Sequence, residues 1–162
     1  MTGYDAYIND VLNDKIPVGE LVKKSVHRFV YMRDHGKDHG FYFDPAAVDR
    51  VIKFFRMLRH TSGDFGGKHF DPLPWQQFAL AGIFGFKYLD THKRVTSKAY
   101  IEVARKNGKS EFAGALGLYM AFMDGENGAE VYSAANAYDQ ASICWGAAAV
   151  MASRLRKDSN SF

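Results

Sequence analysis

Apolar residues recur at helical spacing in three blocks of the first half of the chain. Val18, Leu21, Val22, Ser25, Val26, Phe29 and Val30 follow the i, i+3, i+4, i+7 pattern. The spacing predicts a helix over 17–33, with Pro17 in the first turn, where its missing N–H costs nothing. Gly36 and Gly40 then break the period, and Asp34 to His39 reads as a polar loop. A second helix is expected from Asp44-Pro45, with Asp44 as N-cap and Val48, Val51, Ile52, Phe55 and Leu58 as its apolar face. On that helix Arg50, Lys53, Arg56 and Arg59 drift by about 60° per three-residue step, so they wrap round it and read as a solvated face. Residues 61–72 are a glycine-rich loop, and a third helix opens at Pro74 with Gln76, Gln77, Phe78, Leu80, Ile83 and Phe84.

After a polar turn near Asp90 to His92 the pattern changes. Tyr100 to Ala104 reads as a buried strand, and Gly108 to Met123 as a helix followed by Gly125 as a C-cap signal. Glu130 to Ser133 reads as a second strand, and Ala137 to Arg156 as an alanine-rich helix in which Cys144 and Trp145 are expected in the core. A β-α-β-α order implies a parallel sheet. The fold class is therefore α/β, with a helical first half.

Composition narrows the function. The 162 residues are 47% hydrophobic and 15% aromatic, which excludes a disordered tail. Lys and Arg number 21 against 18 Asp and Glu, so any nucleic-acid role rests on a local basic surface rather than bulk charge. The single cysteine, Cys144, forms no internal disulfide and suits a reducing compartment. The N-terminus lacks the basic start and apolar run of a signal peptide, and Ala141 to Ala152 is too short to span a bilayer. A soluble intracellular protein is expected. Asp34, His35, Asp38 and His39 have no third histidine or thiol nearby in sequence and read as loop rather than as metal ligands.

The chemistry concentrates where the first expected strand runs into Arg105-Lys106-Asn107-Gly108-Lys109-Ser110. Strand, short loop, Gly-Lys-Ser and helix is the layout of a phosphate-binding loop. Gly108 lets backbone approach phosphate oxygens, and the helix N-terminus faces the anion. Lys109 can reach the β and γ phosphates, and the Ser110 hydroxyl can ligate Mg²⁺. Ala113, Gly114, Ala115 and Gly117 are expected to pack the helix closely on the sheet. Against this reading, the usual pattern has glycine where Val103 stands; the alternative is a basic turn capping a helix, with Glu111 merely favouring the helix dipole.

Leu73-Pro74-Trp75-Gln76, the segment Tyr100 to Ser110, and Ala129 to Ala135 with Gln140 resemble the large terminase subunit of tailed bacteriophages. The likeness extends over most of the chain, including the helix from Asp44 to His60 and the loop with Gly66 and Gly67. In that family an arginine replaces the early glycine of the loop, so Val103 is what the resemblance expects. It implies a P-loop ATPase that drives DNA into a capsid, coupled to a metal-dependent nuclease of RNase H-like fold. It implies ATP and Mg²⁺ as cofactors, with Lys109 and Ser110 holding phosphate and metal. Arg105 would lie near the γ-phosphate as sensor or arginine finger, and Lys109 and Arg105 would be catalytic. Gln76, with Trp75 beside it, would read adenine, and Lys106, Asn107, Gly108 and Glu111 would complete the nucleotide-binding set. The implied partners are double-stranded DNA, the small terminase subunit, the portal protein and further copies of the chain, in the cytoplasm of a bacterial host.

On this resemblance residues 1–72 are a helical N-terminal region, and 73–162 are the first part of an incomplete P-loop NTPase core. Leu118 to Asp124 mimics a Walker B run, but Asp124 lies on the same expected helix about 22 Å from Lys109 at 1.5 Å per residue. The chain is thus expected to be an N-terminal fragment, inactive alone, with apolar surface exposed on its last helix and sheet edge. A helicase-like DNA translocase and a non-catalytic helical adaptor are the alternatives.

Overall fold

The computed structural model describes residues 2–159. Their order is α1 (Gly3–Leu12), α2 (Glu20–His35), a 3-10 turn (Gly36–His39), β1 (Phe41–Phe43), α3 (Pro45–Met57), a 3-10 turn (Gly63–Phe65), α4 (Pro74–Phe84), β2 (Phe86–Tyr88), α5 (Lys109–Phe122) and α6 (Tyr138–Ser159). The protein is mixed α/β and mostly helical, and the sheet among the described residues has two antiparallel strands. The chain divides into two compact units: Met1–Ile52 with Pro72–Tyr100, and Lys53–Asp71 with Ile101–Phe162.

In the first unit α1 packs on α4 and α2. Thr2 accepts from the Asp5 N–H at 3.2 Å as N-cap, and Tyr4, Ile8 and Val11 form the buried stripe. α2 starts at Glu20 after Gly19, so Pro17 stands outside it, and Leu21 of the expected apolar face is 78% exposed. Val26 and Phe29 carry its burial. Phe29, Phe43 and Phe86 meet mutually at 5.1–5.3 Å between ring centroids, pairs worth about 0.5–1.5 kcal/mol each beyond their area. β1 and β2 pair with Phe41 opposite Tyr88 and Phe43 opposite Phe86. α3 begins as its sequence predicts: Asp44 accepts from the Ala47 N–H at 3.1 Å, and Val48, Val51 and Ile52 are buried.

In the second unit Phe55 meets Phe70 at 5.5 Å and Phe112 at 5.6 Å, and α5 packs along α6. A Cβ at Gly114 would lie 3.0 Å from the Ala148 amide nitrogen and the Cys144 carbonyl oxygen. The small residues of α5 therefore let another helix approach, not a sheet. The parallel β-α-β-α core expected from Tyr100–Ala104 and Glu130–Ser133 is not present among the described residues, since neither segment is a strand. Tyr100 is 85% exposed. β-branched and aromatic residues favour extended backbone, but a strand exists only where a neighbour completes the ladder. Cys144 is half-buried, and Trp145 is exposed along with Tyr138 and Ile143.

Candidate functional site

α5 begins where Gly108, its N-cap, takes the left-handed conformation with φ 70° and ψ 15°. No Cβ opposes that geometry. Lys106 also has a positive φ of 67°, which costs a non-glycine residue about 1–2 kcal/mol. Asn107 braces the turn, donating from Nδ2 to the Ala104 carbonyl at 3.2 Å and to that of Arg105 at 3.4 Å. Lys109 Nζ donates to the Val103 carbonyl at 3.3 Å. No side chain caps the helix, and Phe112 N–H to Gly108 O at 2.9 Å is its first backbone bond. The amides of the first turn, Lys109, Ser110 and Glu111, thus have no acceptor within the helix. They stand at the positive end of a 14-residue dipole.

Ser62, Arg105, Lys106, Gly108, Lys109, Ser110 and Glu111 line an open depression of about 290 Å³. This is at the small end of small-molecule sites and suits a phosphate chain rather than a whole nucleotide. Arg105, Lys106 and Lys109 are exposed cations, so the lining is built to take an anion. The described residues hold no group of three or more His, Cys, Asp or Glu placed to bind a metal. Mg²⁺ keeps several waters and takes few protein ligands beside phosphate oxygens, so the half-buried Ser110 hydroxyl fits it as one ligand.

Glu111 also lines the depression, but its carboxylate oxygens bond the His60–Thr61 segment. Its Oε1 accepts from the Thr61 N–H at 2.6 Å and from the Thr61 hydroxyl at 2.5 Å, and its Oε2 lies 2.6 Å from His60 Nδ1. Burial opposes its charge, but the His60 and Thr61 hydrogen bonds outweigh burial and hold the carboxyl below its ordinary range. Arg154 of α6 donates to the His60 carbonyl and, at 3.3 Å, to the Thr61 carbonyl. His60, Thr61, Ser62 and Arg154 escaped the sequence reading, because the pairs they make span 50 to 94 residues. Arg59, expected in solvent, donates to Asp158 at 2.7 Å and to the Gly67 carbonyl at 3.0 Å.

Trp75 and Gln76 belong to the first unit, in the first turn of α4. Gln76 is 4% exposed, and its Oε1 accepts from the Leu73 N–H at 2.9 Å, half of a capping box. Gln77 beside it donates to the Pro72 carbonyl at 2.8 Å. Trp75 is half-buried. Asp124 follows the end of α5, whose C-cap is Met123. No helix among the described residues is long and apolar enough to cross a membrane.

The family model described as terminase large subunit, ATPase domain, matches residues 74–160. The match takes in α4, the Arg105–Ser110 turn, α5 and all of α6. No curated protein and no solved structure matches the chain. With more than half of its length matched, the chain belongs to the terminase large subunit ATPase domain family.

Proposed function

We propose that this chain supplies the nucleotide-phosphate grip of an ATP-driven DNA-packaging motor. The observation that carries the reading is the uncapped start of α5 with Arg105, Lys106 and Lys109 around it, in a chain of a terminase ATPase family. The Lys109 ammonium exchanges the Val103 carbonyl for β- and γ-phosphate oxygens. Arg105 lies against the γ-phosphate, where its fixed charge opposes the negative charge that builds up there. The backbone from Lys106 to Ser110 cradles the anion as a P-loop does. Ser110 would hold Mg²⁺ in part, and the ion would supply neutralisation of phosphate charge. Trp75 and Gln76 take the adenine role, the Gln76 side-chain amide offering N–H donors to the base. Double-stranded DNA, the small terminase subunit, the portal protein and further copies of the chain are the proposed partners.

Titration of the purified chain with a fluorescent ATP analogue in Mg²⁺ tests the reading. Lys109→Ala is expected to weaken binding far more than Lys106→Ala, because only Lys109 stands in the first turn of α5. Equal affinities of the two variants contradict it.

A further inference from the structure

We propose that Glu111 is a positioning residue for the phosphate site. Its carboxylate latches the glycine-rich His60–Lys68 loop to the first turn of α5, and so brings Ser62 to the phosphate as a further hydroxyl donor. The proposal rests on the nucleotide reading above and assigns a role that the loop sequence 105–110 does not contain.

The loop is closed on itself before Glu111 reaches it. His60 N–H donates to Lys68 O and Gly67 N–H to His60 O, each at 2.9 Å, and Arg59 bridges to His69 at its base. Gly63 and Gly67 turn it with φ of 69° and 84°. Ser62 begins the 3-10 turn in extended backbone, φ −153° and ψ 177°, and its hydroxyl does not cap that turn. Ser62 instead lines the depression with Lys109 and Ser110.

What sets Ser62 there is the residue before it. Both donors of Thr61, amide and hydroxyl, end on one carboxylate oxygen, and that carboxylate belongs to the residue after Ser110. A charged acceptor makes these bonds about twice as strong as neutral ones. Arg154 holds the loop from the opposite side, through the His60 and Thr61 carbonyls. The Glu111 oxygens are therefore committed to the loop, and its effect on nucleotide passes through Thr61 and Ser62.

The test is affinity for a fluorescent ATP analogue in Mg²⁺, measured on the intact chain with Lys109→Ala as reference. Glu111→Ala is expected to weaken binding about tenfold. Glu111→Gln keeps an acceptor for Thr61 and an NH₂ for His60 Nδ1, and is expected to restore most of the affinity. Thr61→Val is expected to weaken binding several-fold and to add nothing on a Glu111→Ala background, since both remove the same bond. Ser62→Ala, at an exposed position, is expected to weaken binding a few-fold with an unchanged melting temperature. Wild-type affinity in Thr61→Val and Glu111→Ala, alongside a clear loss in Lys109→Ala, overturns the latch and leaves the nucleotide reading standing. Wild-type affinity in Lys109→Ala overturns that reading itself. If Glu111→Ala does not fold, Thr61→Val and Ser62→Ala decide the matter alone.

Discussion

Asp44 holds two partners at once: one carboxylate oxygen lies 3.0 Å from Lys87 Nζ and the other accepts from the Ala47 N–H at 3.1 Å. A single side chain thus caps α3 and ties its start to β2. Asn caps as well as Asp does, but carries no charge for Lys87. Asp44→Ala is expected to lower stability by about 1–2 kcal/mol, and Asp44→Asn by clearly less. Urea midpoints of the two variants check this; an equal loss would mean that the cap contributes nothing.

Two glycines of α5 should respond to alanine with opposite sign. At Gly114 a new methyl would press on the backbone of Ala148 and Cys144 at 3.0 Å, whereas at Gly117 its nearest neighbour is Val131 Cγ1 at 3.6 Å, an ordinary contact. Gly114→Ala is expected to cost about 1–3 kcal/mol through overpacking. Gly117→Ala is expected to gain about 0.5–1 kcal/mol of helix propensity. Thermal melts of the pair measure both.

Acid should loosen the protein through two carboxylates. Burial opposes the charge of Glu111 and of Asp44, yet hydrogen bonds from His60 and Thr61, and from Lys87 and Ala47, hold their pKa values below the ordinary 4.5 and 3.8. A pKa lowered on folding contributes stability that is complete above the ordinary value and is lost as pH falls through the lowered one. The melting temperature is therefore expected to be insensitive to these groups above about pH 5.5 and to fall in acid. The double variant Asp44→Asn, Glu111→Gln should fall less steeply; an identical acid limb would remove both groups from the account.

Nucleotide binding and turnover should separate. Glu111 is the carboxylate that lines the depression at the start of α5, and its oxygens are taken by His60 and Thr61. Hydrolysis needs a group that positions the attacking water and a carboxylate that helps to anchor Mg²⁺. Purified residues 1–162 are expected to bind ATP yet release phosphate close to the buffer rate. Steady turnover abolished by Lys109→Ala would place such a carboxylate within this chain.

The parts legible in the sequence were those written in neighbouring residues. Asp44-Pro45 marked the start of α3, and the spacing from Val48 to Leu58 gave its buried face. The helix expected over Gly108 to Met123 is α5 with its two caps included, since Gly108 is the N-cap and Met123 the C-cap. β1 and β2 are three residues each, too short for alternation to register. α1 is written in Thr2 and in the Tyr4, Ile8, Val11 spacing, over a single ten-residue stretch. The apolar runs at 100–104 and 130–133 were read as strands on propensity, which fixes neither a ladder partner nor burial. His60, Thr61 and Arg154 reach the site only through tertiary contacts, which no local pattern encodes.

The clamp of Arg154 on the His60 and Thr61 carbonyls also sets a schedule. Ribosomes add about 5–20 residues per second, so Arg154 is made about 2–9 s after Glu111. Until then the carboxylate that anchors the loop has been made and the guanidinium has not. The two anchors of the loop are thus made in two stages, the second with α6. A nascent chain halted between them would carry every residue of the 105–110 turn while its neighbouring loop lacked one of its two anchors.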